Sequence, residues 1–258
     1  MKKSIIVIII ILACVIKSNA QNNKNKLSFE FGYGINGYSM GKLNEFYIDS
    51  FAAKPNICLL KDKITSGQNF NFALRYQPTG LFDIGLYGNY QYGNSKHNPT
   101  FIESDDFGLP IKDHTGTYEL KTQAIGVGLT STWYVSHILK FNEKENKFLK
   151  RFHFGVELNG GIGFSKVTTD IRVSTLPIVS FYEYFTSTDF QGQAGLKFEY
   201  DFVKSPIISA IGIKGGYQYF RTQTVKDRLD RNWEVLGQHP INLDFSGFYI
   251  GTYLKIGK

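Results

Sequence analysis

Residues 190–202 read FQGQAGLKFEYDF. Alternate positions form two lines. One is Phe190, Gly192, Ala194, Leu196, Phe198, Tyr200 and Phe202; the other is Gln191, Gln193, Gly195, Lys197, Glu199 and Asp201. Successive side chains on a β-strand point to opposite faces, so this stretch has one apolar face and one face that is polar, charged or small. A tilted strand crosses a bilayer in about 9–11 residues, and this stretch is long enough to do so.

The same split recurs on both sides of it. Leu27, Phe29, Phe31, Tyr33 and Ile35 oppose Ser28, Glu30, Gly32, Gly34 and Asn36, and Phe70, Phe72, Leu74 and Tyr76 oppose Asn69, Asn71, Ala73 and Arg75. Phe82, Ile84, Leu86, Tyr90 and Tyr92 oppose Asp83, Gly85, Tyr87, Asn89 and Gln91. Phe152, Phe154, Val156, Leu158, Ile162 and Phe164 oppose His153, Gly155, Glu157, Asn159, Gly161 and Gly163. A strand rich in Gly and aromatics spans 207–221 with Lys214 and Gln218 in one phase, and the last sets Phe248, Ile250, Leu254 and Ile256 against Tyr249, Gly251, Tyr253 and Lys255. Around Ile125, Val127, Leu129 and Trp133 the phase is less clean, because Lys121 and Gln123 share it.

These are eight strands, and their connections alternate in length. Pro78–Gly80, Val203–Pro206 and Asn142–Asn146 read as short turns; 39–66, 95–117, 168–187 and 222–242 read as long polar loops. Membrane barrels have an even strand number, short periplasmic turns and long extracellular loops. The expected fold is therefore an all-β, antiparallel up-and-down transmembrane barrel of eight strands. Ten is the alternative if 57–64 and 171–185 form extra hairpins.

Volume decides which face is inside. An eight-stranded barrel has an interior just wide enough for side chains to fill. Five to seven large apolar side chains per strand overfill it, whereas Gly and short polar residues fit. The apolar line belongs to lipid. The lumen then receives Glu30, Arg75, Asp83, Glu157, Lys197, Glu199, Asp201, Lys214 and Lys255, and charges of both signs in so narrow a space must pair. The expectation is an ion-pair and amide network that closes the pore.

The chain ends carry further signals. Lys2-Lys3, the apolar run Ile5–Ile16 and the small residues before Gln21 have the pattern of a secretory signal peptide at 1–20, cleaved between Ala20 and Gln21, with the barrel domain at 21–258. The competing lipoprotein box at Ile11-Leu12-Ala13-Cys14 has the poorer cleavage pattern. Of the formal +7, three charges (Lys2, Lys3, Lys17) fall in the leader. The remaining cations are dispersed among Asp and Glu, which argues against nucleic acid as a partner. Cleavage leaves Cys58 as a lone thiol without a disulfide partner.

On these residues the chain resembles the small outer-membrane β-barrel families of Gram-negative bacteria, the OmpA/OmpX-like barrels. Tyr249, Gly251, Leu254 and Ile256 match the spacing of their C-terminal assembly signal. The resemblance implies residence in the cell outer membrane, with outer-membrane lipid and the barrel-assembly machinery as partners. A surface ligand or membrane-protein partner would be met through the long loops.

No residue pattern points to a cofactor or a metal. Ser104-Asp105-Asp106 is read as a solvated loop rather than a cation site. His97, His114 and His239 fall in loops, His153 shares the lumen face with Glu157, and His137 follows Ser136 on what reads as a strand. The segment 41–54 places Leu43, Phe46, Tyr47 and Phe51 at helical spacing, as a lid over the barrel mouth or a helix on the membrane. The first functional expectation is a non-enzymatic barrel, structural or acting through surface interactions. A narrow porin-like or small-solute transport barrel comes second, and a lipid-modifying enzyme third.

Overall fold

The computed structural model describes residues 26–48, 62–104, 110–173, 180–202, 207–235 and 239–257. Eleven strands occur there: β1 (Lys26–Gly37), β2 (Ser66–Gln77), β3 (Phe82–His97), β4 (Thr100–Ser104), β5 (Pro110–Tyr134), β6 (Phe152–Val173), β7 (Phe181–Asp201), β8 (Ile208–Phe220), β9 (Glu234–Val235), β10 (His239–Pro240) and β11 (Gly247–Ile256). Eight of them, β1, β2, β3, β5, β6, β7, β8 and β11, pair antiparallel with their neighbours in the chain. The ring closes where β1 meets β11, with Phe29 opposite Ile256 and Asn36 opposite Tyr249. No strand of this ring keeps a free edge along its paired length, which is what a bilayer demands of backbone N–H and C=O groups.

The wall is apolar outside and polar inside. Leu86, Leu129, Phe190, Phe248 and Ile250 are among many large exposed apolar side chains, whereas Glu30, Arg75, Asp83, Glu157, Lys197 and Glu199 are buried. On β6 the outward row runs from Phe152 to Phe164. Those residues cover about 40 Å along the strand at ~3.3 Å per step, or about 30 Å of depth at a tilt of roughly 40°. That matches a hydrocarbon core of about 30 Å. The molecule is a transmembrane β-barrel. No helix among the described residues is long and apolar enough to cross a membrane, so the crossing is made by strands.

Three strands run well past the belt. β5, β6 and β7 have 25, 22 and 21 residues, and stay paired out to Gly116–Val173 and Ile171–Phe181. The expected loops at 95–117 and 168–187 are thus mostly strand; β4 adds a further strand to the edge of β5. The alternative ten-stranded barrel does not form. Residues 171–173 and 181–185 lengthen β6 and β7 instead of making a new hairpin in the wall, and 57–61 and 174–179 lie outside the described residues.

The outward polarity reverses where the strands leave the membrane. Below the boundary Ile125 faces outward beside Tyr90 and Phe164; one step above, Gln123 and Lys166 take the outward places. Above it the inward positions turn apolar, with Tyr118, Leu120, Val167 and Phe185 buried. Lys121 and Gln123 are therefore in phase with Ile125 on one straight strand. Within lipid the apolar side faces out, and beyond it the same strand behaves like a soluble sheet with its apolar side in.

The connection at 142–146 departs from expectation. β5 stops at Tyr134 and the chain makes α1 (Val135–Ile138), a 3-10 turn (Phe141–Glu143) and α2 (Lys147–Arg151) before β6. Asn146 caps α2, its Oδ1 accepting from the Phe148 N–H at 2.8 Å. Ser136 and His137 thus lie on a helical turn rather than on a strand. The short turn at 78–81 is as expected, and 203–206 lies outside the described residues, as do 1–25 with Ala20 and Gln21, and Cys58.

Candidate functional site

The lumen is filled in three chemically distinct tiers. The tier nearest the chain termini is ionic. The Arg75 guanidinium on β2 contacts Glu30 at 2.8 Å (Nε), Asp83 at 2.6 Å (Nη1) and the Glu157 carboxylate (Nη2). Its Nη1 also donates to Thr132 Oγ1 at 2.7 Å. Lys197 pairs with Glu30 and lies 3.7 Å from Glu199; Lys214 is 3.5 Å from Glu157, and Lys255 is 2.9 Å from Glu199. Two tyrosines complete the tier: Tyr134 donates to Asp83 at 2.8 Å, and Tyr253 to Glu199 at 3.0 Å.

Of the charged residues that phase alone sends inward, all but Asp201 meet in this one network, four acids against four bases. Each sits there because an inward strand position puts it there: Glu30 lies opposite Lys255 and Lys197 opposite Lys214 in the strand register. Asp201 sits apart at the rim, 3.1 Å from His153 Nε2. A charge in a narrow low-dielectric space is costly unless paired and hydrogen-bonded, and here every carboxylate has a cation within ion-pair distance.

The middle tier is made of amides. Gln91 on β3 and Gln218 on β8 exchange two hydrogen bonds, Gln91 Nε2 to Gln218 Oε1 at 2.9 Å and Gln218 Nε2 to Gln91 Oε1 at 3.0 Å. These strands are diametrically opposite in the ring. Asn36 donates to Gln91, Asn69 to Asn36, and Gln193 to Gln218, at 3.0, 3.0 and 2.7 Å. Asn159 joins the tiers, donating to Gln193 at 2.9 Å and to Glu157 at 3.2 Å.

The third tier is an apolar cap at the far end. Segments between strands fold inward over the mouth: Thr222 N–H donates to Leu243 C=O at 2.8 Å and Met40 N–H to Asp244 C=O at 2.7 Å. Their side chains, including Met40, Leu43, Ile48, Val225, Ile241, Leu243 and Phe245, are buried. Phe220 stacks on Phe245 at 5.5 Å, and Phe185 on Trp233 at 4.2 Å. Within the expected helix at 41–54, a π-helical turn, Leu43–Ile48, places Leu43 and Ile48 in the cap, and 49–54 with Phe51 lies outside the described residues. Asn44 secures it by exchanging hydrogen bonds with the Ile64 backbone, both at 3.0 Å. Tyr47 hydrogen-bonds Tyr118, and burial pushes the Tyr47 hydroxyl up to about 12.

Two clefts flank this stack. At the terminal end a cavity of about 430 Å³ is lined by Tyr134, His137, His153, Glu199, Asp201 and Lys255. The imidazoles of His137 and His153 stack there at 5.4 Å and 12°. At the far end an open cleft of about 880 Å³ lies on the strand extension, lined by Thr117, Asp170, Arg172, Phe181 and Tyr182 among others. His239 stacks on Phe46 at 4.7 Å, and His114 is buried. Among the described residues no group of three His, Cys, Asp or Glu side chains is placed to hold a metal. Asp105 and Asp106 lie outside them.

The C-terminal residues divide by face: Tyr249 is buried against the lumen, Gly251 shares its phase, and Leu254 and Ile256 are on the outward row. Leu43 of the cap lies in the segment expected as a lid, whereas Met40, Val225, Ile241, Leu243 and Phe245 are residues that sequence reasoning misses. Their signal is the apolar phase reversal past Ile125, which alternation within single strands reads as noise.

No protein-family model and no curated protein matches the chain. Solved structures similar to it include the attachment invasion locus protein Ail of Yersinia pestis in complex with the heparin analogue sucrose octasulfate, at 14% identity and TM-score 0.39 over 90% of this chain and 99% of that one. Neisserial surface protein A is similar at 8% and 0.38 over 90% and 99%. A major outer membrane protein of Thermus thermophilus is similar at 10% and 0.41 over 90% and 100%. The barrel reading itself stands on the closed strand ring and the apolar belt.

Proposed function

We propose that this chain is a non-enzymatic barrel of the Gram-negative outer membrane that works at its outer surface, the lumen serving as a structural plug. The observation that carries this reading is the double closure of the lumen. An ionic and amide plug fills the half near the termini, and an apolar cap, joined to it where Gln218 Nε2 donates to the Phe245 C=O at 3.0 Å, seals the other end. Either layer alone removes a continuous water path. The outer end has what the lumen lacks: three strands projecting beyond the belt and an open cleft bordered by Phe181, Tyr182 and Arg172. Aromatic and charged groups around an open cleft suit a surface ligand or a partner protein.

Planar-bilayer recording tests the reading. The purified barrel is expected to give no stable single-channel current. A large, steady conductance would move the assignment to the transport barrel. Protease treatment of intact cells tests the orientation, with cleavage expected in the 95–117 or the 168–187 connection and protection of both overturning it.

A further inference from the structure

The connection between β5 and β6 is larger than the barrel requires. Eight-stranded barrels turn tightly at the end that carries their termini, yet residues 135–151 build two helical segments and a 3-10 turn there. Its side chains are of two kinds. Ile138, Leu139 and Phe148 are 65%, 52% and 55% exposed. Beside them Lys140, Lys144, Lys147 and Lys150 are exposed and Arg151 is half-buried, against two acids, Glu143 and Glu145.

The apolar part is continuous with the lipid belt. The Phe148 ring stacks on Phe152 at 5.7 Å and 14° and lies 5.6 Å from Tyr200; Phe141 lies 5.7 Å from Phe154. Phe152 and Phe154 in turn contact Phe198, at 6.3 and 6.4 Å. Phe152 faces Tyr200 and Phe154 faces Phe198 in the strand register, so these rings form the outward rim of β6 and β7. The rim therefore extends from the wall onto the connection itself.

We infer that residues 138–151 form an interfacial foot on the membrane surface at this end, bound to anionic phospholipid. Ile138, Leu139 and Phe148 enter the acyl edge, where interfacial helices place their apolar faces. The lysines extend their stems along that edge and put their ammonium groups among phosphates. Clusters of basic residues next to a membrane-embedded segment are drawn to anionic headgroups. Lipid is the occupant because the exposed rings join a belt that already faces acyl chains, and because the cations outnumber the acids. The inference rests on the reading of this end as the periplasmic one only for which leaflet it meets.

Fluorescence quenching tests it with an internal control. Trp133 and Trp233 are the two tryptophans. Trp233→Phe leaves Trp133 as a belt reporter. Trp133→Phe, Trp233→Phe and Phe148→Trp together leave one indole on the foot. Each protein is folded into phosphatidylcholine vesicles with acyl-brominated lipid, with and without phosphatidylglycerol. Both reporters are expected to be quenched, the foot indole more deeply when phosphatidylglycerol is present. That increment is expected to vanish in the further variant carrying Lys140→Gln, Lys144→Gln, Lys147→Gln and Lys150→Gln. A foot indole that stays unquenched while Trp133 is quenched overturns the inference and leaves the barrel intact, whether the indole is in water or against a second protein copy. Equal quenching in both lipids overturns the anionic preference. Failure of both reporters overturns the barrel reading as well.

Discussion

The Arg75 guanidinium on β2 reaches the Glu157 carboxylate on β6, three strands away around the wall, while also holding Glu30 and Asp83. One side chain thereby ties four strands together through the lumen. Lys197 on β7 crosses in the same way to Glu30 on β1. The barrel is braced across its interior as well as along its hydrogen-bonded wall.

Removing Arg75 leaves the buried Asp83 carboxylate without a cation and takes one of two cations from each of Glu30 and Glu157. Breaking a buried ion pair by deleting one partner costs roughly 3–5 kcal/mol. Arg75→Ala is expected to lower unfolding stability by about that amount, read by urea titration of the gel-mobility difference between folded and unfolded barrel. Asp83→Asn in the Arg75→Ala background should recover part of the loss, since it removes the carboxylate left without a cation.

Closure in series predicts a specific conductance pattern. Arg75→Ala or Glu157→Ala alone should remain silent in planar bilayers, because the cap still seals the mouth. Leu243→Ala with Phe245→Ala alone should also remain silent, because the plug remains. Current is expected only when the two sets are combined. A channel in either single-layer variant would show that its layer is the sole barrier.

Phe220 lies over Gly163, where a Cβ would stand 2.5 Å from the ring. Gly163→Val is expected to push Phe220 out of its stack with Phe245, at about 1–3 kcal/mol for overpacking. The readout is faster proteolysis of the segment between β8 and β11, whose Phe245 is held by that stack.

The polarity boundary predicts depth-dependent costs. Leu129 is 68% exposed in the middle of the belt. Leu129→Lys should cost roughly 2–4 kcal/mol, as a lysine near the bilayer midplane does, and Ile125→Lys at the upper edge about 0–1 kcal/mol. Lys121→Leu, beyond the boundary, should leave stability nearly unchanged. Equal costs at 125 and 129 would displace the boundary from where the strand polarity reverses.

Outside the membrane, Asp227 organises a turn. Its Oδ1 accepts from the Arg231 N–H at 2.9 Å and the Leu229 N–H at 2.8 Å, and its Oδ2 from Arg231 Nε at 2.7 Å. The Arg231 backbone and side-chain bonds hold its carboxyl below the ordinary value of 3.8. A folded-state value below the unfolded one contributes stability that is present above 3.8 and is lost as pH falls through the folded value. Amide protection of Leu229 and Arg231 should therefore persist to below the ordinary Asp range and then fall, and be absent at all pH values in Asp227→Ala.

The strand wall was legible because lipid imposes one rule on every residue that crosses it. At Phe190–Phe202 or Leu27–Asn36 the alternation needs no partner to be read, and the narrow lumen assigns its faces. The same rule marked every charge of the plug by phase. It failed where the rule changes: above Ile125 water lies outside, so Tyr118, Leu120 and Val167 turn inward and alternation breaks. It failed also at 135–151, where only the contacts of Phe141 and Phe148 with the rim show that the chain folds back on the wall instead of turning.

Sequence alone determined the faces of the wall and the set of charges sent into the lumen, because side-chain direction on a strand is local and the bilayer sorts by polarity; the choice of eight strands over ten came from the closed ring. Tertiary structure decided which charges pair, since Arg75 and Glu157 become neighbours only when the ring closes. It likewise decided that the mouth is sealed, because Met40, Leu43, Ile241, Leu243 and Phe245 come from separate loops. Their apolar character acquires meaning only where those loops converge.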